Sequence, residues 1–100
     1  MTDRLWQEHL KAAFPQPSRG REVNGIDLVT LDADTAGCLQ TFFAAGAALS
    51  TGHVANLGRC YHDLAVVRSD LRGEEQRYFQ RLERIAGEVL AQLSVVGFEA

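Results

Sequence analysis

The most constraining feature of this sequence is a repeated three-and-four spacing of apolar residues in its second half. One stripe comprises Val54, Leu57, Tyr61, Leu64 and Leu71, with Cys60 and Val67 at its flanks. A second stripe follows Gly73 and comprises Tyr78, Leu82, Ile85 and Val89, widened by Phe79 and Ala86. Residues at this spacing line one face of an α-helix. The pattern predicts two helices, from Thr51 to about Ser69 and from Glu74 to about Leu93.

The break between the two stripes predicts how these helices are arranged. Gly73 interrupts the pattern, and the acidic Glu74 and Glu75 that follow favour the positive end of a new helix. Ser50 or Thr51 is suited to cap the preceding helix at its N-terminus. Helices of similar length joined by a short connection pack antiparallel. The second half of the chain is therefore predicted to be an antiparallel helical hairpin.

A shorter amphipathic helix is predicted over residues 2–14. Trp6, Leu10 and Phe14 share one face of it, and Pro15 ends it because proline disfavours helical geometry in the preceding residue. Isolated helices of this length are marginal in water, so the apolar face must be covered. The ordinary expectation is that this apolar face packs on the core of its own domain. The alternative is a partner, for which Trp6, Leu10 and Phe14 are the candidate binding residues.

The middle of the chain is less regular. Residues 15–25 are polar and rich in proline and glycine, as is typical of a linker, and residues 26–31 favour either a short strand or the start of the next helix. A helix is then expected from about Ala33 to Ala45. The whole chain, 1–100, is predicted to be one all-α domain, a bundle of three to four helices with its helical core in residues 26–100.

Composition narrows the partners and the compartment. A formal net charge of −3 argues against nucleic acid as a partner, because such binding depends on neutralising phosphates with basic residues. No apolar run approaches the length of a bilayer span, so no membrane partner is expected. Cys38 and Cys60 form no CxxC pair and are expected to be buried free thiols in a cytoplasmic protein, with an oxidised pair as the alternative.

One segment carries a possible chemistry. The hydrophobic run from Leu28 leads into Asp32-Ala33-Asp34-Thr35, which resembles the first motif of haloacid-dehalogenase-type phosphatases. The resemblance would imply a nucleophilic Asp32, an acid at Asp34 and bound magnesium. That family also needs a doubly wound sheet and a later lysine, whereas the only lysine here, Lys11, precedes the motif. The ordinary explanation is that Asp32 or Asp34 caps the second helix.

His62 is the remaining candidate, since it follows Cys60 and precedes Asp63. Neighbouring residues on a helix point in different directions, so these three cannot share a metal unaided. We therefore expect a non-enzymatic interaction or accessory protein without a cofactor. It would act through apolar helical surfaces, as a homodimer or with a partner protein. The alternative is a small metal- or ligand-binding protein that uses Asp32 and Asp34, with His62 as a further ligand.

Overall fold

The computed structural model describes residues 2–46 and 48–99, with side chains described as far as residue 93. The α-helices in these ranges are α1 (Thr2–Leu10), α2 (Leu28–Ala44), α3 (Thr51–Arg68) and α4 (Gly73–Glu99). Between α1 and α2 lie one turn of 3-10 helix (Gln16–Ser18) and two short strands, β1 (Glu22–Val23) and β2 (Ile26–Asp27). The predicted all-α bundle of three to four helices is confirmed.

The predicted hairpin of α3 and α4 is also confirmed, but the buried face of α3 differs from the prediction. Its fully buried residues are the set Leu57, Cys60, Leu64 and Val67, followed after the helix by Leu71. Tyr61, predicted at the centre of the stripe, is 40% exposed. The physical reason is that α3 packs against α2 as well as α4, which turns Cys60 and Val67 inward.

The α4 stripe is buried as predicted, and the helix continues beyond the expected end near Leu93 to Glu99. Gly73, the first residue of α4, has a φ of +60°, which glycine adopts without a steric cost. Ser50 caps α3, because its side chain accepts a hydrogen bond from the backbone N–H of His53 at 3.3 Å. The sequence had left this cap open between Ser50 and Thr51.

Helix α1 ends at Leu10, four residues before the predicted end. Its last turn tightens, with the N–H groups of Lys11 and Ala12 bonded three residues back, and Phe14 then folds against Tyr78 and Phe79. Contacts of Thr2 with Glu88 and of His9 with Arg81 show that α1 runs antiparallel to α4.

Helix α2 begins earlier than predicted, at Leu28 rather than Ala33. Asp27 is its N-cap: the carboxylate accepts from the N–H of Val29 at 3.2 Å and from the Thr30 hydroxyl at 3.0 Å. The prediction that Asp32 or Asp34 caps this helix is therefore wrong. Burial of Leu28 and Leu31 on one face explains the early start, because helix geometry lets both reach the core.

The extended part of residues 26–31 is limited to Ile26–Asp27, which pairs antiparallel with Glu22–Val23. Asn24 and Gly25 form the two-residue turn, and both have the positive φ, 54° and 80°, that such a turn requires. Residues 15–25, predicted to be a linker, form hydrogen bonds to side chains near the bend between α3 and α4. Ser18 donates to Glu75 at 2.8 Å, and Asn24 donates to Asp70 at 2.9 Å.

Cys38 and Cys60 are both buried and free, which confirms the prediction of buried free thiols. Within residues 2–46 and 48–99, none of the helices combines the length and the apolar character that a bilayer span needs.

Candidate functional site

The two aspartates of the phosphatase-like segment lie in different surroundings. Asp32 is half-buried and accepts a hydrogen bond from the Tyr78 hydroxyl at 2.8 Å. Burial raises the pKa of Asp32, and the bond from Tyr78 partly opposes that rise. Asp34 is exposed and faces a small hollow that Arg59 and Asp63 also line. Because residues two apart on a helix point to different sides, the carboxylates do not converge.

The context of that segment also differs from the phosphatase family. Asp32 lies within α2 rather than at the end of a strand, and the only strands in the described part of the chain are two residues long. His62 is exposed on α3. Among the described residues, no group of three or more His, Cys, Asp or Glu side chains is placed to hold a metal ion.

The three candidate partner-binding residues of the N-terminal segment differ in their exposure to solvent. Trp6 is 3% exposed and stacks on Phe43 of α2, with ring centroids 5.8 Å apart. Phe14 is half-buried against Tyr78, and only Leu10, at 57% exposure, presents its side chain to solvent. The Trp6 face is thus covered by its own chain. Partner binding at this face stays a prediction, now confined largely to Leu10.

A row of polar side chains that sequence reasoning missed runs between α1, α4 and α2. Arg81 donates from Nε to His9 Nδ1 at 2.8 Å, the His9 ring lies 4.5 Å from the Tyr78 ring, and Tyr78 donates to Asp32. Burial and, secondarily, the Arg81 cation lower the pKa of His9 from 6.5 to about 4. Burial and the hydrogen bond to Asp32 raise the pKa of Tyr78.

The proton positions in this row follow from its hydrogen bonds. Because Nδ1 of His9 accepts from Arg81, the neutral ring carries its proton on Nε2. That atom is buried and has no hydrogen-bond partner among the described residues. The hydrogen bond from Arg81 therefore goes to a neutral acceptor instead of a carboxylate, and no carboxylate among the described side chains forms an ion pair with its guanidinium group.

Beside Arg81, the outward face of α4 forms a shallow groove of about 780 Å³, flanked by α1 and α3. We call it the α4 groove. Its apolar and small lining residues are Leu5 of α1, Tyr61 of α3, and Gly87 and Ala91 of α4. A Cβ at Gly87 would lie 2.9 Å from the Tyr61 ring, so the absence of a side chain there lets the ring rest on the helix backbone. The exposed Tyr61 thus forms part of the groove surface.

The charged lining of the α4 groove is mostly arginine. It comprises Arg68, Arg77, Arg81 and Arg84, with Glu83 and Glu88. Arg68 donates to both oxygens of Glu83, at 3.1 and 3.0 Å, and Arg84 donates to Glu88 at 3.2 Å. Hydrogen bonds from Thr2 and Arg84 lower the pKa of Glu88.

The sequence carries a signal for this groove in the outward face of α4. Arg77, Arg81, Arg84, Glu88 and Ala91 repeat the same alternating spacing as the buried stripe. A charged face of this kind is ordinarily solvated, so its charges alone do not indicate a groove. The small residues Gly87 and Ala91 within it were the overlooked sign that another side chain or helix approaches.

Comparison of the chain with family models, with curated proteins and with solved structures gave no match, so its function has to be inferred from the α4 groove and the polar row themselves.

Proposed function

We propose that this chain is a non-enzymatic interaction protein that binds an α-helix of a partner protein in the α4 groove. The single observation that carries the proposal is the mixed surface of the groove. Apolar Leu5 and Tyr61 lie beside the small Ala91, where a second helix can approach closely, and the Tyr61 ring rests on the backbone at Gly87. A helix with an apolar stripe is the ordinary occupant of such a groove. A cytoplasmic location is part of the proposal, supported by the two free cysteines.

Self-association, which the sequence also predicts, is a separate proposal with its own measurement. Sedimentation velocity across a wide range of protein concentrations would detect it. A concentration-dependent increase in mass that is lost in Leu10→Asp would support a homodimer through α1. A single monomer mass at every concentration would overturn the homodimer and leave the α4 groove for a different protein.

The α4 groove is tested with a defined peptide and isotope-labelled protein. The probe is an amphipathic helical peptide with an apolar stripe of leucine and alanine and with neutral glutamine flanks. We expect saturable changes in the NMR signals of Leu5, Tyr61, Gly87 and Ala91. Ala91→Arg should abolish them by filling the groove, whereas Ala33→Arg, also at an exposed alanine of a helix, should not.

Two outcomes would overturn this function. One is that neither the neutral peptide nor versions with acidic or basic flanks produce saturable changes. The other is that the changes occur equally in Ala91→Arg and in the parent protein, which would move the contact away from the groove.

A further inference from the structure

We infer that the partner helix is acidic, with its carboxylates over Arg77 and Arg81 and its small or apolar residues over Tyr61 and Ala91. This inference rests on the proposed function, because it specifies the chemistry of the helix that occupies the α4 groove. Its basis is the distribution of charge along α4.

The α4 groove carries a net positive charge, whereas the whole chain carries a net negative charge. Four arginines and two glutamates line it, whereas the formal net charge of the protein is −3. Both glutamates form ion pairs within the groove, Glu83 with Arg68 and Glu88 with Arg84. Among the described side chains, Arg77 and Arg81 form no ion pair with a carboxylate. The surplus positive charge of the groove is therefore localised on these two residues.

Arg77 and Arg81 lie one helical turn apart on the same face, and both also line a neighbouring hollow of about 440 Å³. Glu74, in the first turn of α4, lines the same hollow but forms no ion pair with either arginine. The bond from Arg81 to His9 holds one of the two guanidinium groups in place. A fixed cation loses less side-chain entropy when it pairs with a carboxylate. Carboxylates of a partner thus find a prepared site at this end of the groove.

The other end of the groove explains why the occupant is a helix and not a small anion. Leu5, Tyr61, Gly87 and Ala91 continue the same surface without a further unpaired charge. An amphipathic helix covers both parts at once, because its i, i+3 and i+4 positions form one stripe.

A second copy of this chain fits the groove poorly. A two-fold contact pairs residue i of one copy with residue j of the other, and both glutamates of the groove already pair with Arg68 and Arg84. The patch of a second copy therefore offers Arg77 and Arg81 no free carboxylate, and its net positive charge opposes association. The charge therefore favours a different protein with an acidic helix.

The test compares three peptides that share one apolar stripe and differ only in their flanks, which are glutamate, glutamine or lysine. Dissociation constants are measured by calorimetry at low salt. We expect the acidic peptide to bind about threefold to tenfold more tightly than the neutral one, as two exposed ion pairs would give, and the basic peptide to bind most weakly. Raising the salt concentration should remove the difference, because exposed pairs are screened.

Variants locate the effect. Arg77→Gln should reduce the preference for the acidic peptide over the neutral one by about threefold. Arg59→Gln, which removes an exposed arginine of α3 outside the α4 groove, should leave it unchanged. Equal binding of all three peptides would overturn the acidic partner and leave the proposed function standing. Absence of binding by every peptide would overturn the proposed function itself.

A final arm uses a short single-stranded oligonucleotide of random sequence. Tighter binding of the oligonucleotide than of the acidic peptide, lost in Arg77→Gln, would overturn the inference in favour of a nucleic-acid groove. Weak, non-saturating binding of the oligonucleotide is the expected result.

Discussion

His9 is the residue whose surroundings differ most from those of an ordinary histidine. It is 4% exposed, lies between the rings of Trp6 and Tyr78, and accepts a hydrogen bond from Arg81. Adding a proton would remove that acceptor and place a second positive charge beside the guanidinium. The fold therefore stabilises the neutral ring.

The stability of the protein should consequently depend on pH. The folded pKa of His9, about 4, lies below its ordinary 6.5, so its contribution is complete above pH 6.5 and is lost as the pH falls toward 4. We expect the free energy of unfolding to decrease by up to about 3 kcal/mol over this window. Urea unfolding at a series of pH values measures it.

Two substitutions separate His9 from the other titrating groups. His9→Phe should flatten the profile, whereas His62→Gln controls for the loss of a histidine as such. The raised pKa of Asp32 acts in the opposite direction, since it favours the folded state at low pH. Parallel profiles for His9→Phe and the parent protein would show that His9 is not the cause.

Gly87 is the second residue whose role is local and testable. Replacing a helical glycine with alanine ordinarily stabilises a helix by about 0.5–1 kcal/mol. Gly37→Ala should give this gain, because an added Cβ there meets nothing within 4 Å. Gly87→Ala should lose or reverse it, because the Tyr61 ring must move away. Urea unfolding of both variants measures the difference.

A double variant isolates the contact with Tyr61. In a Tyr61→Ala background, Gly87→Ala should recover the gain seen at Gly37, since the ring is gone. If it does not, the cost of a side chain at Gly87 arises elsewhere.

At the scale of single elements, the start of α2 is decided by Asp27 and not by the aspartates of the phosphatase-like segment. Asp27→Ala should reduce the free energy of unfolding by about 1 kcal/mol, as the loss of an N-cap does. Asp34→Ala is the matched control at an exposed aspartate of the same helix and should change it by less than about 0.5 kcal/mol. Chemical denaturation compares them. A larger loss for Asp34→Ala would contradict the assigned cap.

The segment between α1 and α2 is a second case in which an element depends on distant partners. Glu75 is 8% exposed and accepts hydrogen bonds from Ser18 and Arg21. Both donors precede Glu75 by more than fifty positions in the sequence. Proline, glycine and polar residues in 15–25 correctly indicated the absence of a long helix. They carried no information about the surface on which that segment rests.

For the whole molecule, the burial of Trp6 predicts that α1 unfolds together with the core. Trp6→Ala should destabilise the protein by about 3–5 kcal/mol, as the removal of a large buried aromatic side chain does. Leu10→Ala, at an exposed position of the same helix, should have an effect below about 0.5 kcal/mol. Thermal and urea unfolding of the two variants provide the comparison.

The parent protein offers an independent check of the same point. Trp6 fluorescence and helical circular dichroism should give the same urea midpoint, because one transition removes both signals. A fluorescence transition at lower urea concentration would mean that α1 detaches before the rest of the bundle. Such behaviour is expected of a helix whose apolar face is stabilised by a partner protein.

The sequence by itself determined the number of long helices, the hairpin of α3 and α4, and the buried stripe of α4. These follow from spacing within a few residues of the chain, which the helix imposes locally. It also determined that α1 needs a covered face, although not which surface covers it.

Only the tertiary structure decided which faces meet and which remain open. It turned Cys60 inward and Tyr61 outward, joined Asp32 to Tyr78 across 46 positions, and joined His9 to Arg81 across 72. The α4 groove likewise depends on Leu5 and Tyr61, which come from two other helices. The physical reason is that local periodicity defines a helix and its amphipathic face, whereas the neighbours of that face are set by packing between distant parts of the chain.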